Sequence, residues 1–315
     1  PITDITTDDM ENFITAKKLE WKEQGKDLSQ KHIASQFSTV YISPLRTLAR
    51  YLKIAPPSEK TKEYESPYRL VRLTVEDRFK ILEYIAHKYY EDFNWIRDIL
   101  FKLYYNGDRR NELQTVSFEP RDHIVIAISH GKKGLRYEKI LRKDVYDMIY
   151  KTFPVSKYKL DKLEKILKEA YEHVLKDGTI TKYYALHHPF HVWRHTACND
   201  LIEYSNYNIS LIMEMLGWKN PSMVVKVYGR ATPEMIANAM GWITQLKKPF
   251  DFFYNEIEYD MKTEKFIIKN KWLDEALKRN WITIEYYEAV VENQKKLIRD
   301  FCNKLNIEFP EELFK

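Results

Sequence analysis

His188-Pro189-Phe190-His191-Val192-Trp193-Arg194-His195 brings three imidazoles, a guanidinium and an indole together in one short run, and the chain continues from it without a helix breaker to Tyr204. A helix over His191–Tyr204 is expected. At helical periodicity His191, Arg194 and His195 stand at i, i+3 and i+4, on one side of the first turn. Cationic and hydrogen-bonding groups that converge at a helix start make an anion site without a metal. Downstream, Leu216-Gly217-Trp218 and Tyr228 add a second indole and a phenol. The set suits a pocket that grips a phosphate diester and attacks it.

The chain around this segment reads as mainly α with a small β-hairpin, an α+β class in three parts. Residues 1–62 are expected to be a small helical domain with its linker. Thr6-Thr7-Asp8-Asp9 offers N-caps, and Met10, Phe13, Ile14 and Trp21 follow at helical spacing until Gly25. Two more helices fill Leu28 to Ile54, with Ser43-Pro44 as the break between them. The second has Leu45, Leu48, Ala49 and Leu52 as its apolar stripe, which turns Arg46 and Arg50 away from it. A solvated face is the ordinary reading of those arginines, and contact with a DNA backbone is the functional one. Ala55-Pro56-Pro57 to Lys62 lacks apolar periodicity and serves as the linker.

Residues 63–246 carry the chemistry. Thr74 caps a helix through Phe79, Ile81, Leu82 and Ile85, and a second apolar helix from Phe93 ends at Asn106-Gly107. A hairpin follows, with Ile124–Ile128 and Arg136–Ile140 as strands and His130-Gly131-Lys132-Lys133-Gly134 as its turn. Helices are then expected over Val145–Phe153, Leu160–Leu175, His191–Tyr204, Ile209–Leu216 and Pro233–Leu246. Residues 247–315 read as a mostly helical C-terminal extension with Trp272, Leu273, Trp281, Tyr286 and Tyr287 as its own core.

Composition narrows the partners. Of 315 residues, 51 are basic and 46 acidic, so the net charge of +5 permits a polyanion without requiring one. Cys198 and Cys302 are too few for a disulfide framework or a cysteine zinc cluster, and they read as buried thiols in a reducing compartment. No apolar run approaches membrane-span length, and the start does not resemble a signal peptide. The expectation is a soluble, cytoplasmic, nucleoid-associated protein. The chain opens on Pro1 in place of Met, which suggests a trimmed or partial chain.

Taken singly, the chemical groups are ambiguous. Arg109 follows a helix-ending turn, where a surface arginine is ordinary, although its fork also fits a diester's non-bridging oxygens. Lysines populate exposed turns such as 131–134, but one there could also donate a proton to a leaving oxygen. His191 and His195, with His187 or His188 before them, have part of a zinc face, yet no Glu lies between them and Arg194 would oppose a metal. Tyr228 is one of 23 tyrosines, and a phenol with its ordinary pKa of about 10 attacks only where cations stabilise the phenolate.

Taken in order, the segments resemble the tyrosine recombinase (integrase) family. Gly107-Asp108-Arg109-Arg110-Asn111-Glu112-Leu113 is similar to its first arginine box and Lys132 to the lysine of its hairpin turn. His191-Val192-Trp193-Arg194-His195 is similar to its His-x-x-Arg-His box, and Leu216-Gly217-Trp218 to its Leu-Gly-His/Trp motif. The resemblance implies that Tyr228 is the nucleophile, Arg109 and Arg194 clamp the scissile phosphate, and Lys132 is the general acid; the adjacent Lys133 is the alternative acid and otherwise a candidate DNA contact. His191 and Trp218 would position the transition state. It also implies double-stranded DNA as partner, a homotetramer on two synapsed sites, and no metal, ATP or other cofactor. Residues 1–62 resemble the family's core-binding domain. Two departures stand out: Tyr228 falls ten residues after Trp218 where about nine is usual, and Asp108 occupies a normally apolar position. The long segment after Tyr228 resembles integrases of archaeal plasmids and viruses. The rival readings are a type IB topoisomerase, a catalytically inactive DNA-binding relative and a zinc hydrolase.

Overall fold

The computed structural model describes the chain apart from residues 1–4, 27, 29–30, 58–69, 132–133, 219–220, 222–223, 225–236, 238–239, 241–245, 247–249, 254–256, 261, 269–270 and 315. Two compact units divide it, residues 1–65 and 66–315.

In the first unit, α1 (Thr7–Glu23) begins at a capping box. The Thr6 hydroxyl accepts from the Asp9 amide at 3.2 Å, and the Asp9 carboxylate accepts from the Thr6 amide at 2.8 Å. Met10, Ile14 and Trp21 point inward, and Trp21 meets Phe37 edge to face with centroids 5.1 Å apart. Ser43-Pro44 does not break the chain as the sequence suggests. Between α2 (Lys31–Phe37) and α3 (Ser43–Leu52) a π-helical turn, Ser38–Ile42, carries the backbone on, with the Ser43 amide donating to the Ser38 carbonyl. The widened turn leads into the position where Pro44 has no N–H to give, so the helix continues in place of ending. Arg50 is exposed and Arg46 half-buried on α3.

The second unit is organised around α5 (Phe93–Asn106). Ile96, Ile99, Leu100, Phe101, Leu103, Tyr104 and Tyr105 are all buried, so this helix is apolar nearly all round and lies inside the unit. α4 (Val75–Lys88), capped by the Thr74/Asp77 box, flanks it. A three-stranded antiparallel sheet follows: β1 (Ser117–Pro120), β2 (Ile124–His130) and β3 (Arg136–Arg142), with Ile126 opposite Ile140 and Ala127 opposite Lys139. The expected hairpin is its β2–β3 pair, and β1 adds an edge that the short Ser117–Pro120 run does not announce. Next come α6 (Lys143–Ile149), α7 (Lys157–Val174) and α8 (Ile180–His187), the last an element absent from the sequence reading although Thr179 caps it. Helices α9 (His191–Tyr204) and α10 (Ile209–Leu216) have the expected limits. The expected helix over Pro233–Leu246 falls almost wholly outside the described residues.

The rings expected to form a separate C-terminal core, Trp272, Trp281 and Tyr286 among them, pack instead on the main core, while Ile257, Phe266, Ile298, Phe301 and Cys302 form a small cluster of their own. Phe252 stacks between Phe101 of α5 at 4.4 Å and Trp193 of α9 at 5.6 Å, while Trp272 and Trp281 close on Phe79 of α4 at 4.6 and 5.0 Å. Helix α11 (Lys271–Lys278) and the first half of α12 (Ile284–Leu305) therefore complete the main core, while a second hairpin of β4 (Ile257–Asp260) and β5 (Lys265–Ile268) packs on the C-terminal half of α12. Aromatic rings of this size bury too much area to be satisfied within a short module, which is why they join the larger one.

Polar ties fix α9 within this core. Asp200 accepts from Arg78 at 3.1 Å and from the Tyr104 hydroxyl at 2.5 Å, and Arg78 also donates to the Phe252 carbonyl at 2.9 Å. Both cysteines are buried and neither is in a disulfide. Among the described residues no helix is long and apolar enough to cross a membrane.

Candidate functional site

Asn106 ends α5, and Gly107 turns the chain with φ +53° into the left-handed region. Glycine is required there twice over, because a Cβ would lie 2.4 Å from Leu216 Cδ2. The Gly107 carbonyl accepts from Nη1 of Arg194, and Arg194 Nη2 donates to the Leu216 carbonyl at 3.1 Å. One guanidinium, only 2% exposed, thus ties the first arginine box to α9 and to the end of α10. Gly217 ends α10 in a Schellman turn, with φ +62° and with the Trp218 amide donating to the Met213 carbonyl at 2.8 Å. That turn carries Trp218 over Arg194, with 4.9 Å between the guanidinium carbon and the ring centroid.

Arg109 is held from beneath. Its Nη1 donates to Glu112 Oε1 at 2.7 Å and its backbone amide to Oε2 at 3.1 Å. The arginine side chain is 41% exposed while Glu112 is fully buried, so the carboxylate anchors a guanidinium that faces outward. Tyr137, on β3, places its ring 5.7 Å from the same guanidinium. Lower still, Asp108 accepts from Lys102 and from Lys139, each at 2.5 Å, and Lys139 also donates to Glu112 at 2.8 Å. Asn106 adds an acceptor for Lys102 at 2.7 Å.

Two lysines and two carboxylates with almost no exposure therefore form one compensated cluster. Burial alone would raise Asp108, but the two ammonium groups outweigh it and hold its carboxyl below the usual range. Burial lowers Lys102, and Lys139 adds to that while Asp108 opposes it.

His191 opens α9 with its amide donating to the His188 carbonyl at 2.9 Å. Burial pushes its pKa down to about 4, and the cations of Arg194 and Arg109 push the same way, so the imidazole is neutral at pH 7. A neutral ring offers one donor and one acceptor and no competing charge. His195 is turned elsewhere: its Nε2 pairs with the Tyr184 hydroxyl at 3.0 Å, and its ring stands at 88° to that of His191. Between them Trp193 points into the core, donating to Tyr171, whose hydroxyl donates to the Pro189 carbonyl at 2.7 Å. The His188–Pro189 entry to the helix is thereby pinned. Among the described residues no cluster of three or more His, Cys, Asp or Glu side chains is arranged to hold a metal ion.

Four of the residues singled out in the sequence, Arg109, His191, Arg194 and Trp218, are thus brought together. Lys132, Lys133 and Tyr228 lie outside the described residues. Next to the first two, the Gly131 amide donates to the Leu135 carbonyl at 2.9 Å, and a Cβ on Gly131 would lie 2.4 Å from the Tyr137 ring. Reasoning from sequence missed the supporting layer of Lys102, Asp108, Tyr137 and Lys139. Asp108 at a position the family keeps apolar is the one signal that pointed to it.

Residues 80–235 match the phage integrase family. No characterised protein sequence gives a significant match. Among solved structures, similarity is found to XerH site-specific recombinase bound to difH substrate in a pre-cleavage complex, at 16% identity over 76% of this chain and 72% of that one, with a TM-score of 0.47. The Tn1549 transposon integrase in complex with circular intermediate DNA aligns at 16% identity over 75% and 85% of the two chains, with a TM-score of 0.46. XerA recombinase aligns at 14% identity over 78% and 85%, with a TM-score of 0.38. The chain carries, over residues 80–235, a domain of the phage integrase family, the tyrosine recombinases.

Proposed function

We propose that this protein is a site-specific DNA recombinase that breaks and rejoins duplex DNA through a 3′-phosphotyrosine, with Tyr228 as nucleophile. The observation that carries the reading is the convergence of Arg109, neutral His191, Arg194 and Trp218 inside the family domain. Two guanidiniums and a neutral imidazole suit the non-bridging oxygens of a diester, whose negative charge grows as the phosphorane forms. In the proposed step the Tyr228 hydroxyl gives up its proton to solvent water, its oxygen bonds to phosphorus and the bond to the 5′ oxygen breaks. That oxygen leaves as a hydroxyl with a proton from Lys132. Attack by the 5′-hydroxyl of a partner strand reverses the step, so the energy of the diester is kept and neither ATP nor a metal is required.

The partner is double-stranded DNA, which residues 1–62 would grip with Arg46 and Arg50 and the hairpin turn with Lys133. Four protomers on two synapsed sites would exchange strands, as an integrase of a mobile element requires. In the test, wild-type protein and Tyr228→Phe are incubated with a nicked suicide duplex. The wild type should form an SDS-stable adduct whose peptide maps to Tyr228, and the variant should bind DNA without forming one. An adduct formed by the variant removes Tyr228 as nucleophile, and sequence-independent relaxation without strand exchange would assign the chain to type IB topoisomerases.

A further inference from the structure

The ionic cluster beneath Arg109 contains more charge than holding Arg109 requires. Glu112 alone binds the Arg109 side chain and amide, and Lys102 alone would neutralise Asp108. Lys139 is the group that touches both carboxylates, at 2.5 Å to Asp108 and 2.8 Å to Glu112. Its stem also runs under the α10 corner, where a Cβ on Gly217 would lie 2.9 Å from Lys139 Cε. Two places along on the same face of β3, Tyr137 packs 3.3 Å from that same point, beside Gly131 and beneath Arg109. A single lysine thus links the arginine box, through its ammonium, with the turn that presents Trp218, through its stem, and its three N–H donors permit it to fix two carboxylates at once.

Resting on the function proposed above, we propose that Lys139, braced by Asp108, is a positioning residue that sets Glu112, and through it the Arg109 guanidinium, against the Gly217–Trp218 corner. Lys139 touches no substrate in this reading. It registers two parts of the phosphate clamp that come from opposite ends of the domain, and Lys102 serves only to complete the charge on Asp108.

The comparison of Lys139→Met with Lys102→Met tests it, because each removes one buried ammonium from Asp108 and only the first removes the link to Glu112. Both should lower the melting temperature. In single-turnover trapping on a suicide duplex at saturating protein, Lys139→Met should slow adduct formation by about 100-fold, the scale of a misplacement near 1 Å, and Lys102→Met by less than about three-fold. Equal slowing, or cleavage by Lys139→Met at the Lys102→Met rate, overturns the proposal. Should Lys139→Met not fold, Lys139→Arg, which keeps the charge on a longer fork, takes its place under the same two outcomes.

A second readout needs no cleavage and separates this proposal from the catalytic one. Arg109→Ala should weaken duplex binding by about ten-fold, the worth of one charge-assisted contact. The loss should nearly vanish in the Lys139→Met background, where Arg109 is already misplaced, and persist in the Lys102→Met background. Equal losses in all backgrounds, including no loss in any, overturn the positioning role. A wild-type chain that forms no adduct would instead refute the recombinase reading and leave this cycle to decide.

Discussion

Gly107→Ala probes the joint on which the pocket turns. The substitution has two separable costs. An alanine at φ +53° sits in the left-handed region, at about 1–2 kcal/mol. Its Cβ would also be 2.4 Å from Cδ2 of the buried Leu216, which must give way, an overpacking cost of roughly 1–3 kcal/mol. Gly178→Ala supplies the control, because its φ of +73° carries the first cost while nothing lies within 4 Å of its Cβ. Chemical denaturation of the two variants should place Gly107→Ala at least about 1 kcal/mol below Gly178→Ala. The functional consequence is sharper than the stability difference. The Gly107 carbonyl holds one arm of Arg194 and the Leu216 carbonyl the other, so displacing either residue loosens the arm it holds. Adduct formation should fall by about 100-fold in Gly107→Ala and stay near wild type in Gly178→Ala. Equal stability of the two alanine variants, with cleavage intact in both, would refute the close approach of Gly107 and Leu216 and with it the tethering of Arg194.

Other residues of the pocket give independent tests. Arg194→Lys keeps a charge but cannot span two carbonyls and stack on Trp218, so adduct formation should drop at least about 100-fold while duplex binding persists; near-normal cleavage would remove the fork geometry from the account. His191 binds its proton more weakly in the fold, at about 4, than in the unfolded chain, near 6.5. Its contribution to stability is therefore complete above about pH 6.5 and is lost as the pH falls toward 4. Between pH 7 and pH 5 the wild type should lose about 2 kcal/mol more than His191→Gln, and parallel pH profiles of denaturation would show that the imidazole is not buried among cations. Tyr171→Phe strands the Trp193 indole N–H and the Pro189 carbonyl in the core, which should cost roughly 2–4 kcal/mol in equilibrium denaturation. A near-neutral result would mean that the His188–Pro189 entry is held by packing alone.

The parts of the site that local sequence announces are those that local chemistry builds. The limits of α9 and α10, the capping boxes at Thr6 and Thr74, and the Asn106-Gly107 stop follow from periodicity, side-chain caps and one backbone conformation, each readable within a few residues. The arginine box, the His-x-x-Arg-His run and the Leu-Gly-Trp corner were legible as a set, and the structure adds that Arg194 is the tie among them. The 247–315 segment was legible as aromatic helices but not as part of the main core, because which rings it meets depends on Phe79, Phe101 and Trp193, far away in sequence.

Lys139 shows why the supporting layer stayed out of reach. Taken residue by residue, Ile140 would be placed inward and Lys139 out, yet Ile140 is 46% exposed and Lys139, on one face with Tyr137 and the buried Leu141, is 1% exposed. What makes that burial tolerable lies 27 and 31 residues earlier, where Glu112 and Asp108 present buried carboxylates across from β3. An unpaired buried carboxylate costs several kcal/mol, about twice or more what burying an isoleucine contributes. Alternation sets Lys139 on the inner face with Tyr137 and Leu141 and Ile140 on the outer face with Arg136, Glu138 and Arg142; the two carboxylates are what let a lysine stay inside, and they are out of sight from the strand alone.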